Sequence, residues 1–334
     1  MSGTLSAPPA PATRRLGRLG PPAPQASGHL HLLVNPRASG LRDGDYAAVT
    51  ALLRERFSLT VSHTQAPGHA TELAREAAEA GSDLVAVLGG DGTVSQAAGG
   101  LVGSPTPMTC LPSGCTNVFA RSIGTPRTPA AAARRLVAAA ATGPPAPRAV
   151  DVGTVNDRHF LYTSGVGFTA SMAATADHAP ERKARLGQLH FIGAATSEIA
   201  GRYLRQPPRM RVQAGGHCAD ALTVIVQNAR ALTYFGAHEM RLCEGAGLDT
   251  GAISLTLLRR AWPRDLAAIV LRLLSRRAGA VSAHAQVEGL VDLTAATITP
   301  VDGGTLPVDA DGEYLGEHAR VVYGVKPAAL QVIA

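Results

Sequence analysis

The chain has 334 residues, 46% hydrophobic and 17% charged. That is enough for two domains of ordinary size and a sizeable core. Its formal charge is +6, and Arg14, Arg15 and Arg18 lie in residues 1–28 without an acid. So weak an excess fits an anionic surface or nucleotide phosphates, equally fits nothing specific, and does not call for nucleic acid. The four cysteines, Cys110, Cys115, Cys218 and Cys243, show no CxxC spacing, and there is no HExxH. Zinc chemistry and a disulfide framework are excluded on that ground, and the cysteines read as thiols in a reducing cytosol.

Residues 1–28 are rich in Pro, Ala and Gly and lack a signal-type apolar run, so they read as a disordered tail. No stretch approaches about 18 apolar residues, so no membrane-spanning helix is expected. From His29 the pattern alternates strand and helix. Strands are expected at His29–Val34, Leu59–Thr64, Leu84–Leu88 and Met108–Leu111. Helices are expected at Asp45–Phe57, Thr71–Ala80, Val94–Leu101 and Thr128–Ala141. This alternation predicts an α/β, doubly wound domain over residues 29–146.

After Arg148 short β-type runs dominate: Ala149–Val155, Phe160–Ser164, Met210–Gln213, Leu222–Gln227, Ile253–Leu258, Val281–Val287 and Leu293–Ile298. Helices are expected near Lys183–Leu204 and Arg264–Ala278. Residues 147–325 read as a second, antiparallel β-rich domain, with residues 326–334 as a C-terminal segment that could return to the first. A cleft between two such domains is the expected active site.

The chemical signal is Gly89-Gly90-Asp91-Gly92-Thr93. It follows a buried strand and opens a helix, where α/β sheets bind ligands. Glycines there permit positive φ and close approach of a phosphate to backbone N–H groups, and the helix adds its unpaired N–H groups. A carboxylate at Asp91 beside a phosphate implies a bridging cation, naturally Mg²⁺. Thr93 can cap the helix or touch phosphate. The other reading is a plain glycine turn.

Gly89–Thr93 resembles the GGDGT signature of diacylglycerol, sphingosine and NAD kinases and phosphofructokinases. Leu111-Pro112-Ser113-Gly114-Cys115-Thr116-Asn117-Val118-Phe119-Ala120-Arg121 resembles the LPxGTxNDxAR segment of the diacylglycerol kinase catalytic domain. Asn35-Pro36 with Ser39-Gly40, Asp151-Val152-Gly153 with Gly165-Val166-Gly167-Phe168, and Asp311-Gly312-Glu313 match further motifs of that family in order.

The resemblance implies an ATP- and Mg-dependent lipid kinase of phospholipid biosynthesis. Such an enzyme would be cytoplasmic and peripheral to the membrane, and would act on diacylglycerol, a sphingoid base or a related lipid. A homodimer stays open. So do two alternatives: a kinase of a small soluble alcohol or NAD, and a weakened nucleotide-binding regulatory protein.

It also implies residue roles. Asn35, Pro36, Arg37, Ser39 and Thr64 would line the nucleotide site with Gly89, Gly90, Asp91, Gly92, Thr93, Gly114, Cys115, Thr116 and Asn117. Lys183 would neutralise phosphate charge. Asp91 and Asp151 would hold catalytic Mg²⁺, partly through water, and Glu313 would be the general base. On residues alone, Asp311-Gly312 reads first as a hairpin turn between Leu306–Val308 and Ala319–Tyr323, and only the resemblance puts the site ahead.

Cys115, Val118 and Thr250 depart from the family pattern at a Thr, an Asp and an Asp, and the last makes a structural Mg²⁺ at Leu248–Gly251 weak or missing. Phe168, Met172, Leu189, Phe191, Tyr234 and Phe235 are candidates for a lipid-facing wall, each also readable as core. The amphipathic segment Asp265–Arg277 could pack on a sheet or lie on a membrane.

Overall fold

The computed structural model describes residues 27–177 and 209–334, apart from 261, 276 and 278. The N-terminal half winds helices on both faces of a parallel sheet. Strands β1 (His29–Val34), β2 (Ser58–His63), β3 (Leu84–Gly89) and β4 (Met108–Pro112) run in the order β2-β1-β3-β4, paired in parallel.

Period-2 alternation divides their side chains. Leu30, Leu32, Leu84, Ala86 and Leu88 pack with Val49 and Leu53 of α1 (Asp45–Arg54) and with Ala133 and Leu136 of α5 (Pro129–Ala140). Leu33, Val85 and Val87 face the other way, onto Ala74 of α2 (His69–Glu79) and Ala97 and Leu101 of α3 (Asp91–Leu101). Because both faces are covered, β3 is buried along its whole length, which is why it reads as an unbroken apolar run.

The first sheet then continues into antiparallel strands. β18 (Val321–Ile333) places Val332 and Ile333 parallel to Met108 and Thr109 of β4. It also runs antiparallel to β5 (Arg148–Val155) and β15 (Ala295–Pro300). β8 (Met210–Ala214) and β9 (His217–Ala221) complete that edge, and β6 (Arg158–Phe160) pairs with β5.

A second, antiparallel sheet has the order β14-β13-β10-β7-β16-β17. Its strands are β7 (Thr163–Val166), β10 (Thr223–Gln227), β13 (Ile253–Leu258), β14 (Val287–Leu293), β16 (Leu306–Ala310) and β17 (Glu313–His318). Val166, Val224, Leu255 and Val308 from it meet Val212, Ile298 and Tyr323 from the first sheet in a shared sandwich core.

Three further elements matter for the site: α4 (Val118–Ser122), α6 (Phe168–Asp177) and the hairpin β11 (Thr233–Phe235)–β12 (His238–Met240). The last helix, α7 (Pro263–Leu273), covers a small cluster of Leu242, Val281 and Val287. No described helix is long and apolar enough to cross a membrane.

Several boundaries differ from expectation. The run 281–287 is not a strand, since pairing starts only at Val287; its apolar residue Val281 fills the cluster under α7 instead. The Asp311-Gly312 hairpin pairs β16 with Glu313–His318, whereas Val321–Tyr323 belongs to the other sheet. The expected helix near Lys183–Leu204 lies outside the described residues.

The halves are joined at the β16–β17 turn. Asp311 and Gly312 have φ of 49° and 79°, the two positive values that a two-residue hairpin loop needs. This turn drives the Asp311 carboxylate inward. Its Oδ2 accepts from Ser95 Oγ of α3 at 2.6 Å and from Leu161 N at 2.7 Å. Its Oδ1 accepts from Tyr162 N at 3.0 Å and Thr163 N at 3.1 Å. Tyr162 Oη donates back to the Asp311 carbonyl at 2.9 Å. Burial pushes the Asp311 carboxyl up to about 6 from its ordinary 3.8, although all four donors pull the other way.

Every partner of that carboxylate is a donor, so an amide cannot replace it without turning N–H toward N–H. Asp311→Asn is expected to lose about 2–3 kcal/mol of stability in denaturant titrations. The parent should also become less stable as pH rises from about 4 to about 6. In that window the unfolded chain has released the proton that the folded chain keeps. The decline should be shallower in the variant, which keeps only what other buried acids such as Asp91 add; an equal decline in the two proteins would remove Asp311 as its cause.

Candidate functional site

The parallel strands deliver their C-terminal ends to one edge, and the expected phosphate-loop residues gather there. Asn35 follows β1. Its backbone N–H donates to Leu88 O at 2.9 Å, its side-chain Nδ2 donates to Thr93 Oγ1 at 2.8 Å, and its Oδ1 accepts from Arg37 N at 2.9 Å. Asn35 therefore ties the first turn to α3, leaving Pro36, Arg37 and Ser39 exposed beside it. Gly40 N donates to Ser113 O at 2.8 Å, and Ser39 Oγ lies 3.3 Å from Cys115 Sγ. Thr64, half-buried at the end of β2, donates its N–H to Val34 O.

The glycines serve proximity rather than left-handed backbone. None of Gly89, Gly90, Gly92 and Gly114 has a positive φ, which corrects the first of the two expectations placed on them. A Cβ on Gly114 would lie 2.7 Å from Gly90 Cα, and one on Gly89 would lie 2.7 Å from Thr93 Cβ. The two loops thus touch backbone to backbone. Gly92 is different: it is exposed in the first turn of α3, and a Cβ there would meet nothing within 4 Å. It leaves the helix N-terminus bare, with no side-chain cap, which is the arrangement that receives an anion.

Asp91 lies beneath this platform. Its carboxylate is buried, and burial pushes it up. Thr116 Oγ1 donates to Oδ2 at 2.7 Å, and the N–H groups of Val118, Phe119 and Asn117 face the same group. Asp91 is thereby spent on the N-terminus of α4. Asn117, the residue before that helix, has φ 48° and exchanges two 2.8 Å bonds with Gly114.

Asp151 is likewise engaged: Oδ2 accepts from Gly251 N at 2.6 Å and Oδ1 from Ala328 N at 2.8 Å. It anchors the 248–251 loop and the break in β18. Among the described residues, no group of three or more His, Cys, Asp or Glu converges to hold a metal ion. Each acid is held in place by backbone or hydroxyl donors, and the magnesium role expected of the pair, partly through water, belongs to the proposed function.

Glu313, next to the Asp311 turn, stays accessible, with 40% of its side chain exposed. Its Oε2 accepts from Gln96 Nε2 at 3.3 Å, and its Oε1 is 3.9 Å from Arg158 Nη2. Gln96 also accepts from Gly68 N, the cap residue of α2, at 2.9 Å. Asp91 opens α3, and Ser95 and Gln96 lie about one turn further along a helix that rises about 1.5 Å per residue. Glu313 is therefore reached roughly 8 Å along the helix from the phosphate-loop aspartate.

Ser95 and Gln96 were missed in the sequence. The signal was the i, i+4 spacing that puts Ser95 on the face of Asp91. Asn228 carried no signal; its Nδ2 donates to Asp151 O and Leu161 O, both at 2.9 Å, and so links the two acids' surroundings.

At the departures from the family pattern, the Thr116 hydroxyl beside Cys115 donates to Asp91, Val118 is buried in the core, and Thr250 Oγ1 faces Gly247 O and Ala252 O of its own loop. Phe168 and Met172 lie on α6, which packs on β16 and β17. Tyr234 sits under the Arg121 guanidinium at 3.5 Å, and Phe235 is exposed. Lys183, Leu189 and Phe191 lie outside the described residues.

The diacylglycerol kinase catalytic domain matches residues 29–156, and the YegS C-terminal NAD kinase beta sandwich-like domain matches residues 164–334. A "Probable lipid kinase YegS-like" of Pseudomonas fluorescens Pf-5 is 30% identical over 310 residues, 90% of this chain and 94% of that protein. A diacylglycerol kinase of Bacillus subtilis 168 is 35% identical over 210 residues, 61% of this chain and 64% of that one. The crystal structure of a diacylglycerol kinase from Bacillus anthracis Sterne shares the fold, with a TM-score of 0.66 at 20% identity over 92% of this chain and 96% of that one. The chain belongs to the diacylglycerol kinase catalytic-domain family, with the YegS-type sandwich as its second domain, and is a kinase with an alcohol acceptor.

Proposed function

We propose that this protein transfers the γ-phosphate of ATP to a hydroxyl of diacylglycerol, a sphingoid base or a related lipid. The observation that supports the reading is that one helix, α3, carries both a bare N-terminus and a contact to an accessible carboxylate. Its bare N-terminus at Gly92 is an anion platform, and its Gln96 contacts the accessible carboxylate of Glu313.

In this reading the backbone N–H groups from Gly92 onward, with Arg37, Ser39 and Thr64 at the rim, receive the nucleotide phosphates. Glu313 accepts the proton of the acceptor hydroxyl as the new O–P bond forms and the bond to ADP breaks. Gln96 and Arg158 orient that carboxylate. Asp91, Asp151 and Asn35 hold the loops in register without touching the reacting atoms. Magnesium in this reading arrives with the nucleotide and is held by substrate phosphates, retained waters and one or two carboxylates, for which Asp91 and Asp151 are the candidates, partly through water.

A lipid acceptor is supported by the names of the relatives, and a panel of lipids and soluble alcohols with labelled ATP tests it. Phosphorylation of at least one lipid is expected; transfer confined to sugars or NAD, or tight ATP binding without any turnover, would overturn the lipid assignment. Glu313→Gln should lower kcat by about 10²–10⁴-fold with the unfolding midpoint unchanged. An unaltered rate would remove Glu313 as base.

Gly92→Ala should separate binding from folding. A methyl group there has room in the protein and adds up to about 1 kcal/mol of helix stability. It would nevertheless stand where the phosphates approach, so a higher KM for ATP is expected at equal or greater stability. An unchanged KM would place the phosphates elsewhere.

A further inference from the structure

We propose that α7 and the turn before it form a docking surface for an anionic lipid bilayer. The helix buries only one side. Ile269 and Leu273 pack against Leu242, Val281 and Val287. The opposite face, at i, i+3, i+4 and i+7, is Ala267, Val270, Leu271 and Leu274. The last three are 52%, 70% and 48% exposed, and Trp262 at the N-cap is 53% exposed. Four large apolar side chains in one short segment are left in water, whereas the other exposed ones among the described residues, Tyr46, Phe235, Val291 and Val322, are scattered along the chain.

The charge around this face selects the occupant. Residues 259–277 contain Arg259, Arg260, Arg264, Arg272, Arg276 and Arg277 against the single acid Asp265. Six minus one gives +5 in a chain whose total is +6. Arg260 and Arg264 each hold a guanidinium 5.0 Å from the Trp262 ring centroid. Asp265 pairs with Arg260 and Glu288 with Arg259. Among the described residues, no carboxylate lies within ion-pair distance of Arg264 or Arg277. A second copy of the chain would bring two such arginine-rich faces together, with like charges opposed.

An anionic bilayer satisfies both features: apolar side chains enter the headgroup boundary, the tryptophan sits at that level, and the arginines meet lipid phosphates. The surface also connects to the phosphate loop. Arg272 and Arg277 border one cavity with His238 and Glu239 of the β11–β12 hairpin. Gly236 of that hairpin accepts from Arg121 of α4 at 3.0 Å, and the N-terminus of α4 holds Asp91.

The inference rests on the lipid-kinase reading for its purpose, but its test does not need turnover. Trp262 is the only tryptophan in the chain, so its emission reports this surface alone. Full-length protein mixed with phosphatidylcholine vesicles containing phosphatidylglycerol should show a blue shift. High salt should reverse the shift, and it should be weaker with phosphatidylcholine alone.

The paired substitutions Leu271→Glu and Leu274→Glu, both at exposed sites, should lower vesicle partitioning by at least about tenfold, and Arg264→Glu by about fivefold or more. Unshifted emission with anionic vesicles, undiminished partitioning of the paired variant, or a lipid-independent shift that grows with protein concentration would overturn the proposal. The last result would assign the face to a second copy. A shift produced by an acidic peptide but not by vesicles would assign it to a protein partner and also overturn it.

With a short-chain lipid acceptor dispersed as monomers, the paired variant should keep the parent rate and lose it only on vesicles. Absence of transfer to any lipid by the parent would defeat the functional reading while leaving the fluorescence result to stand by itself.

Discussion

The buried carboxylate of Asp311 is the constraint on which the arrangement depends. Burying an acid is costly, and its high pKa expresses that cost. Four donors offset it, and they come from different parts of the chain: Ser95 from α3, and Leu161, Tyr162 and Thr163 from the approach to β7. One residue can collect them only because Asp311 and Gly312 adopt the two left-handed conformations of a tight hairpin. The next residue is Glu313. Its position relative to α3 thus follows from a folding interaction at the preceding residue of that helix, Ser95, with Gln96 adding a second contact. A candidate base that remains accessible is held by a neighbour that does not.

The phosphate edge relies on backbone contact more than on charge. Gly90 and Gly114 let two loops meet at a distance that a side chain on either would prevent. Asn35, Asp91 and Asn117 then spend their side chains on neighbouring backbone or hydroxyl groups. The same local use of side chains is seen at the departures Cys115, Val118 and Thr250. Thr116, beside Cys115, carries the hydroxyl bond to Asp91, Val118 contributes to the core, and the Thr250 hydroxyl faces two carbonyls of its own loop.

The α/β half was legible because both of its periodicities are strong. β3 is apolar throughout, α1 repeats its apolar residues at helical spacing, and glycine and proline mark the ends. The phosphate loop was legible as a string, and its placement between β3 and α3 followed. Less legible was anything decided by a distant donor. For Asp91 and Asp151 the sequence lists carboxylates without showing which groups donate to them. The N-terminus of α4 and the backbone of Gly251 and Ala328 do so through the fold. The run 281–287 failed for a related reason: it contains β-type residues, but its apolar side chain was needed beneath α7. The turn at Asp311-Gly312 reads as either hairpin or site, and the structure shows the hairpin, with the candidate base Glu313 directly after it.

Positive charge is used in two ways in this chain, and the physics of each suits its place. At the phosphate edge the donors are fixed, neutral N–H groups at a helix start, which need no reorganisation as charge shifts during transfer. A lysine or arginine in their place would bind reactant and product phosphates more uniformly and add side-chain freedom to be lost. Around α7 the requirement is the opposite. A membrane surface is diffuse, fluid and crowded with phosphates of no fixed geometry, so long guanidinium side chains around an apolar face can adapt to it. In the proposed reading, the separation of these two forms of positive charge, rigid at Gly92 and adaptable between Arg259 and Arg277, suits a phosphotransferase that meets its acceptor at an interface.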